Sequence, residues 1–582
     1  MFKLTRRLPL LSLFLTFSYP FHTRRIHLLH SSSHFSHAGT NDCDCDVAII
    51  GSGIGGLTCG AILSALYRLN VHIYEGHVHA GGCAHSFPVV SKVSKSKYVF
   101  DSGPTIVLGC SSPPFNPLAQ VLSALGGSSL IDWVAYDSWG MVTEDGSWPF
   151  ILGENNFAQG PLLKFGGLDA VNDFLRLRDA CAPLCAGAAA IPTMALRGDS
   201  YRLLPLLKHL KALQDVLPYS ETLNGNFKPF MEEYVHNSWL KSWLDALAFS
   251  LSGLDAANTG AATMAYTLFD LHRKGASLDY PRGGFGAVPV ALATILKETG
   301  GKLFLNKRVQ SVLVGEGQAK ALRLQDGGIV RAKQGIVCNA DVWALPSLLS
   351  ASGNDLTPQQ RYQLIERPEK EVKKTASFMH LHLGIDATGL DRSAMQPHYT
   401  VMMNGLHRDP SSGNSPADPC GDRNMVAVSN PSVLDSTLTS SDKKFVIHAY
   451  GAGNEPFSDW DGLEYPSGLY SEKKAADSSF LKSAVSRALQ ISRDELEERL
   501  DVQLIGTPLT HRRFLSRTDG TYGATFRDML PGPVTSLPGL YLCGDSVFPG
   551  IGVPAVAVSG ANCANTMVSF LRHTWHSWIL DQ

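Results

Sequence analysis

The chain has 582 residues, of which 44% are hydrophobic and 18% are charged, and its formal net charge at pH 7 is −2. This composition is typical of a folded protein with two or three domains and excludes global disorder. Nucleic-acid binding needs clustered positive charge, so the near-neutral balance argues against a nucleic-acid partner. The eleven cysteines are scattered and lack a second pair of Cys or His to complete a zinc site, so we expect reduced thiols and no metal.

The amino-terminal segment, residues 1–42, is predicted to be a targeting peptide. Its first 41 residues contain no Asp or Glu but several Arg and Ser, which favours an organelle transit peptide. The apolar run at residues 8–21 behind basic residues fits a secretory signal instead, but a small-x-small cleavage site is missing. No other stretch reaches the ~18 apolar residues that a spanning helix needs, so transmembrane anchoring is not expected.

A β-α-β unit follows this leader. The stretch DVAIIGSGIGGLTCGAILSALYRLNVHIYEG, residues 46–76, changes from strand to helix and back, with the helix expected from residue 54 to about residue 69. Gly51, Gly53 and Gly56 form the pattern G-x-G-x-x-G directly after the first strand. The first glycine allows the tight turn, the second admits a pyrophosphate, and the third lets helix and strand pack closely. The sequence therefore predicts a dinucleotide site.

Five further residues complete this half of the predicted site. Ile54 and Gly55 open the helix, whose N-terminus faces the phosphates with its partial positive charge. Glu75, at the end of the second strand, is placed to accept hydrogen bonds from the adenosine ribose hydroxyls. The pair Gly81-Gly82 then resembles the acid-then-Gly-Gly continuation of FAD enzymes, in which small residues let the backbone pass near the phosphates and the flavin.

The carboxy-terminal stretch GLYLCGDSVFPGIGVPAVAVSGANCANTMVSF supplies the second half. It predicts a strand, the pair Gly544-Asp545, a Gly/Pro loop that ends at Gly552, and a helix that begins near Val553. Asp545 can hold a ribitol hydroxyl. Pro554 suits the first turn of a helix, because its fixed φ and missing N–H cost nothing there. The free amides of that turn could stabilise negative charge on the flavin as its ring is reduced.

These motifs resemble the carotenoid isomerase and phytoene desaturase family of flavoproteins, and the resemblance covers most of the chain after about residue 46. Four more stretches carry it, namely FDSGPT at residues 100–105, YPRGGFGAVP at 280–289, VCNADVW at 337–343 and HRRFLSRTDGTYG at 511–523. The resemblance implies that the backbone of Val309 contacts adenine. Cys83 departs from the Arg or Ser that often follows the Gly pair in this family.

The fold that follows is α/β, with an FAD-binding, doubly wound, Rossmann-like domain of the glutathione-reductase type and an inserted α+β substrate domain. The predicted FAD-binding parts are residues 43–120, 281–345 and 507–582. The predicted substrate-domain parts are residues 121–280, mostly helical, and 346–506.

The resemblance implies an FAD-dependent isomerase that converts poly-cis carotenoids of the prolycopene type to all-trans forms with reduced FAD. A carotenoid or retinoid desaturase or saturase is the alternative, followed by an amine oxidase and by a flavin-binding protein without catalysis. The implied partners are an apolar polyene, a membrane surface contacted peripherally, and an electron donor or acceptor such as a quinone or a reductant. The implied location is the plastid, with another organelle or the secretory pathway as alternatives.

No catalytic side chain is assigned, because the flavin carries the difficult step in this chemistry. The basic run His511, Arg512 and Arg513 is expected at a solvated surface. Residues 201–217 have Leu-rich and basic positions at helical spacing, which fits either a bilayer-docking element or an ordinary amphipathic helix facing the core. The Pro/Ser/Gly-rich loop at residues 408–423 is expected at the surface.

Overall fold

The computed structural model describes residues 43–103, 105–189, 191–406, 423–451, 455–525 and 530–580. The predicted targeting peptide lies outside these ranges. So does the Pro/Ser/Gly-rich loop, except for Arg423. Within the described ranges, no helix is both long enough and apolar enough to cross a bilayer.

The strands follow one another along the whole chain. In chain order they are β1 Cys45–Ile50, β2 Val71–Tyr74, β3 Ser86–Val90, β4 Lys97–Asp101, β5 Val107–Leu108, β6 Trp133–Tyr136, β7 Ser138–Thr143, β8 Gly146–Ile151, β9 Leu278–Pro281, β10 Lys302–Phe304, β11 Val309–Gly315, β12 Gln318–Leu324, β13 Ile329–Cys338, β14 His380–Asp386, β15 His398–Met402, β16 Met425–Ser429, β17 Lys444–Tyr450, β18 Leu500–Gly506 and β19 Leu540–Leu542.

The α-helices are concentrated between β8 and β9. In chain order they are α1 Ile54–Ala65, α2 Pro117–Ala124, α3 Leu163–Ala189, α4 Leu210–Val216, α5 Ser220–Asn224, α6 Phe227–Tyr234, α7 Ser238–Ser252, α8 Ala261–Leu271, α9 Ala287–Glu298, α10 Leu345–Leu348, α11 Pro358–Arg361, α12 Arg367–Glu371, α13 Gly468–Asp477, α14 Ser479–Leu489, α15 Arg493–Glu498, α16 Pro508–Leu515, α17 Val553–Met567 and α18 Phe570–Leu580.

The first large sheet has the strand order β10-β2-β1-β13-β12-β11, with β19 also paired to β13. β10, β2, β1, β19 and the carboxyl half of β13 run parallel, whereas β11, β12 and the amino half of β13 are antiparallel. Val47, Ala48 and Ile49 of β1 are fully buried, as expected for a parallel strand covered on both faces. Helices α9 and α17 pack against α1, so elements from three parts of the chain form one layer.

The second large sheet has the order β18-β14-β17-β16-β15-β7-β8. Side chains of β14 alternate between its two faces, as the two-residue period of a strand requires. Leu381, Leu383 and Ile385 join an apolar cluster that includes residues of α14, while His380 and His382 lie on the opposite face. Helices α3, α6, α7 and α8 enclose a separate aromatic core near β7 and β8.

The predicted α/β class is confirmed. Helix α1 ends at Ala65, four residues earlier than predicted. Among the strands between residues 300 and 340, β11, β12 and β13 pair antiparallel, whereas β10 runs parallel to β2. Alternation of apolar residues cannot distinguish the two directions. Here α9 returns the chain to the edge of the parallel sheet as a crossover helix does. The domain boundaries stay a prediction.

Candidate functional site

The Gly-rich turn connects β1 to α1 at the carboxyl edge of the parallel strands. The N–H of Gly51 donates to the Tyr74 carbonyl at 2.8 Å, and Gly51 has φ +88°, which favours glycine. A Cβ on Gly56 would lie 2.3 Å from the Gly51 carbonyl oxygen. Side chains are therefore excluded at these positions, and the turn closes tightly enough to present the N-terminus of α1, from Ile54, as an anion site.

Asn339 contacts this turn, and the sequence analysis did not single it out. Its N–H donates to the Ile50 carbonyl at 3.0 Å, which places it just beyond β13 and beside the end of β1. A Cβ on Gly53 would lie 2.8 Å from Asn339 Nδ2, and one on Gly55 would lie 2.6 Å from Asn339 Oδ1. Its position directly after a strand beside β1 could have indicated a site residue, because the carboxyl ends of parallel strands lie at the same edge of a sheet and ligands bind there.

Glu75 is held at the end of β2 by three donors. Its Oε2 accepts from the N–H and the Oγ of Ser52, both at 2.8 Å, and its Oε1 accepts from the N–H of His77 at 2.8 Å. A carboxylate has about four acceptor positions, so capacity remains for a ribose hydroxyl. The N–H of Lys307 donates to the Glu75 carbonyl at 2.7 Å, which brings Val309, two residues further on, to this end of the site.

The glycine pair lies directly against the Gly-rich turn. The N–H of Gly81 donates to the Ser52 carbonyl at 2.8 Å. Gly81 and Gly82 have φ +115° and +57°, and a Cβ on Gly82 would lie 3.2 Å from the Gly53 Cα. The backbone can therefore pass close to a ligand here. Burial raises the pKa of the neighbouring Cys83 thiol, which keeps it protonated at neutral pH.

The carboxy-terminal half of the predicted site meets the amino-terminal half through α17. A Cβ on Gly560 of α17 would lie 2.4 Å from the Gly55 carbonyl, and a Cβ on Gly55 would lie 3.2 Å from the Gly544 N. Gly552, with φ +106°, is the N-cap of α17, and Val553 is its first residue. The structure thus brings together two segments that are almost 500 residues apart in the sequence.

Arg517 binds both oxygens of Asp545. Its Nη1 donates to Oδ1 at 2.9 Å and its Nη2 donates to Oδ2, while Nη2 also donates to the Tyr522 carbonyl at 3.0 Å. Burial acts to lower the pKa of Arg517, but the Asp545 carboxylate outweighs it and raises that pKa. The sequence analysis missed Arg517, although it lies in the quoted stretch at residues 511–523.

A second carboxylate holds the same loop. Asp341 accepts from the N–H and the Oγ1 of Thr518, both at 2.8 Å, and burial raises the pKa of Asp341. Asp341 follows β13 and Asp545 follows β19, so the loop around Arg517 is tied to two neighbouring strand ends. This arrangement fixes the direction in which Asp545 presents its remaining acceptor positions.

These features fit FAD. Glu75 suits the adenosine ribose, the turn at Gly51–Gly56 and the N-terminus of α1 suit the pyrophosphate, and Asp545 suits the ribitol. The amides that open α17 suit the negative edge of a reduced flavin ring. A Cβ on Gly53, Gly55 or Gly56 would lie within 3 Å of a neighbouring atom, so only glycine leaves this space open.

A buried stack of imidazoles lies on the second sheet. The rings of His382 and His448 are 4.3 Å apart with an interplanar angle of 5°, and those of His380 and His448 are 4.9 Å apart at 13°. His380 Nδ1 and His448 Nε2 share a hydrogen bond of 2.6 Å, and His382 Nε2 pairs with the Asp101 carbonyl at 3.0 Å. We refer to His380, His382 and His448 as the imidazole stack.

The imidazole stack is uncharged at neutral pH. Burial lowers the pKa of His382 to about 4, and it lowers the pKa of His380 and His448 well below the ordinary value. His511 contacts His380 at 4.8 Å between ring centroids and is itself buried, whereas Arg512 and Arg513 are exposed. The expectation of a solvated surface was therefore wrong for His511, whose side chain lies on the inner face of α16.

Aromatic contacts connect the imidazole stack to the cofactor segments. The Phe378 ring is 4.4 Å from that of His380 and 5.1 Å from that of Tyr522, whose carbonyl accepts from Arg517. On the other side, His382 contacts Phe87 at 5.5 Å. The uncharged rings therefore form a buried ring cluster beside the Asp545 loop, and such an environment suits an apolar conjugated molecule.

Three ring nitrogens of the stack lie within 4.8 Å of one another, which is close enough to raise the question of a metal. A nitrogen lone pair lies in the plane of its ring, and the three rings are parallel within 13°. The lone pairs therefore do not converge on one point, as a tetrahedral site requires. In this arrangement the stack is a buried, hydrogen-bonded cluster of aromatic rings.

Comparisons with known proteins agree with this geometry. Prolycopene isomerase of Arabidopsis thaliana is 27% identical over 92% of this chain and 84% of its own. All-trans-retinol 13,14-reductase of Homo sapiens is 24% identical over 86% of this chain and 82% of its own. The structure of an oxidoreductase from Methanosarcina mazei matches with a TM-score of 0.55 at 16% identity, over 88% of this chain and 98% of its own, which supports the fold.

The model of the family described as flavin containing amine oxidoreductase matches residues 54–370. This range includes α1, the glycine pair and β13, and it covers more than half of the chain. The predicted FAD cofactor and the prediction of an FAD-dependent oxidoreductase-type enzyme are confirmed, which leaves the non-catalytic alternative without support. The chain belongs to the family of flavin-containing amine oxidoreductases, and its cofactor is FAD.

Proposed function

We propose that this enzyme converts poly-cis carotenoids to all-trans forms with reduced FAD. The observation that carries the proposal is the buried, uncharged cluster of imidazole and aromatic rings beside the Asp545 loop, which suits a polyene because it is apolar and carries no charge. The similarity to prolycopene isomerase along 92% of the chain supports the same substrate class.

In this proposal the protein binds and orients the polyene and excludes water from it. Reduced FAD supplies the electron density that lowers the bond order of a cis double bond for long enough to let it rotate. The neutral imidazole stack contributes no charge that would trap a polarised polyene. The isomerisation involves no net oxidation or reduction, so the product has the mass of the substrate.

The proposed location is the plastid, with peripheral contact to a membrane. The leader at residues 1–42, whose first 41 residues contain no Asp or Glu, supports plastid targeting, and the relatives with the name prolycopene isomerase are described as chloroplastic. Carotenes dissolve in bilayers, so an enzyme for them must reach a lipid surface.

Anaerobic incubation with a poly-cis carotene in liposomes tests the proposal, with FAD reduced in one sample and oxidised in the other. We expect an all-trans product of unchanged mass with reduced FAD alone. Loss of two hydrogens with oxidised FAD would show a desaturase. Hydrogen peroxide release with polyamines in a separate, aerated sample would show an amine oxidase. No reaction with any carotene in either sample would refute the proposal.

A saturase is the second candidate, because all-trans-retinol 13,14-reductase is 24% identical over 86% of this chain. A saturase would add two hydrogens to one double bond and leave the flavin oxidised. The same incubation separates it from an isomerase by the mass of the product. All-trans-retinol is included as a second substrate for this reason.

A further inference from the structure

Two segments that are distant in the sequence form one exposed apolar face. The 3₁₀ turn Pro205–His209 packs against α18, the rings of Tyr201 and Phe570 stack at 4.6 Å, and Lys208 Nζ donates to the Trp578 carbonyl at 3.2 Å. We call this surface the docking face. Its large exposed apolar side chains are Tyr201, Leu207, Leu210, Leu571, Trp575, Trp578 and Ile579.

Helix α18 presents its apolar side to solvent. Leu571, Trp575 and Trp578 follow the helical spacing i, i+4, i+7 and are 68%, 68% and 46% exposed. The buried side carries His573, whose Nε2 pairs with the Met194 carbonyl at 2.9 Å, and Ser577. A surface helix ordinarily buries its apolar stripe and exposes its polar side. Single exposed apolar residues are common, but a contiguous patch marks an interaction site.

The charged residues within the docking face are basic, while Asp199 and Asp215 flank its first segment and Asp199 accepts from the N–H of Tyr201 at 3.1 Å. Arg202, Lys208, Lys211 and Arg572 lie within its two segments, and the sequence contains no Asp or Glu at residues 200–214 or 569–580. Trp side chains with adjacent Lys and Arg are typical of segments that sit at the boundary between lipid headgroups and acyl chains. Anionic lipid headgroups complement the positive charge.

We propose that the docking face binds the surface of an anionic bilayer, with the side chains of α18 inserted among the lipids and no segment spanning it. This inference deepens the proposed function, on which it rests, by naming the region that contacts the membrane. Helix α17 begins at Val553 beside the flavin segments and leads through Val568 and Ser569 into α18. Its 15 residues correspond to about 22 Å, so binding would hold the site at a fixed distance from the bilayer.

A second copy of the chain fits the docking face less well than an anionic bilayer does. In a twofold contact each surface patch meets its own copy, which would bring the basic residues of one docking face against those of the other. Like charges across an interface oppose association. Cations at a bilayer surface meet anionic headgroups instead.

Trp fluorescence of the full-length, FAD-loaded protein tests the inference at the residues concerned. Vesicles of phosphatidylcholine with phosphatidylglycerol are prepared with and without brominated acyl chains, which quench Trp only on contact. Residues 1–42 contain no Trp, so the leader cannot contribute. We expect quenching in the wild type that is absent from Trp575→Phe/Trp578→Phe. Quenching that is equal in both proteins, or absent from both, would overturn the inference.

Vesicle flotation provides the matched comparison. We expect Leu571→Gln/Trp575→Gln to bind these vesicles about tenfold more weakly, because two apolar side chains no longer enter the lipid. The control Leu168→Gln/Leu469→Gln changes two side chains of similar exposure, 70% and 71%, outside the docking face and should bind normally. Equal binding of both double variants, or a wild-type dimer that Leu571→Gln/Trp575→Gln abolishes, would contradict a lipid partner.

The proposed function and the docking inference can each be refuted without refuting the other. If the wild type shows Trp575 and Trp578 quenching but converts no carotene, the docking inference holds and the proposed substrate is wrong. If carotene in detergent is isomerised but no quenching occurs at these residues, the proposed function holds and the docking inference is wrong.

Discussion

Arg517 donates through both Nη atoms to the carboxylate of Asp545, which follows β19 at the carboxyl edge of the parallel sheet. The pair orients the acidic group that we assign to the ribitol and at the same time reaches Tyr522, the first contact on the way to the imidazole stack. The guanidinium of Arg517 therefore connects the proposed cofactor contacts with the rings that we propose to bind the polyene.

Replacing Arg517 tests this connection. We expect Arg517→Gln to lower the free energy of unfolding by about 2–4 kcal/mol, since Asp545 keeps a partly buried charge without its cation. The double variant Arg517→Gln/Asp545→Asn should recover part of that loss, which denaturant titration measures as a coupling energy. Lys320→Gln, in the exposed pair with Glu316, should leave the free energy of unfolding unchanged, because exposed ion pairs contribute little to stability. Additive losses in the double variant would show that the pair is not coupled.

The second glycine of the turn can be tested separately from its contact with Asn339. We expect Gly53→Ala to lose flavin, because its Cβ occupies the space for the pyrophosphate and lies 2.8 Å from Asn339 Nδ2. In Gly53→Ala/Asn339→Ala the contact with Asn339 is removed, so the melting temperature should recover while flavin content stays low. Full visible flavin absorbance in the double variant would contradict the pyrophosphate assignment. Gly468→Ala, with open space around its Cβ, is the control.

Glu75 gives a prediction about affinity. In Glu75→Gln the donors Ser52 N–H and His77 N–H cannot both find an acceptor oxygen on the side chain, and the charge-assisted bonds to a ribose hydroxyl are lost. Such bonds contribute about 1.5–3 kcal/mol, so FAD should bind the apoprotein roughly tenfold to a hundredfold more weakly. Flavin titration of the apoprotein measures this. An unchanged dissociation constant would remove Glu75 from the site.

The imidazole stack predicts a loss of stability in acid. Burial lowers the pKa of His382 from 6.5 to about 4, so below pH 6.5 the unfolded chain binds protons that the folded protein does not. Stability is therefore full above about pH 6.5 and falls toward pH 4, by about 1.4 kcal/mol per pH unit for each such histidine. Between pH 7 and pH 5, His382→Asn should lose about 2 kcal/mol less than the wild type in urea titrations. Equal losses in His382→Asn and the wild type would contradict the assignment.

Local pattern predicted the β-α-β unit after residue 45 and the helix that begins at Val553. The strand, Gly-rich turn, helix and acid around Gly51 and Glu75 are contiguous in the sequence, and each step has its own residue signature. Pro554 and the glycines before it marked the start of α17 for the same reason.

The imidazole stack could not be predicted in this way. His380 and His448 are 68 residues apart, and only the pairing of β14 with β17 brings their rings together. Register across a sheet depends on tertiary structure that periodicity does not encode. Arg517 and Asn339 were missed because a lone Arg or Asn in a loop has no sequence signature for the carboxylate or glycine that it contacts.

The most direct test of the central claim counts turnovers for each reduced flavin. The enzyme is reduced anaerobically, excess reductant is removed, and a poly-cis carotene in liposomes is added in large excess while the flavin spectrum is followed. An isomerase should form many all-trans molecules per flavin, of unchanged mass, with the flavin still reduced at the end. A reaction that stops at one product per flavin, with two hydrogens added and the flavin oxidised, would contradict the claim and show a saturase.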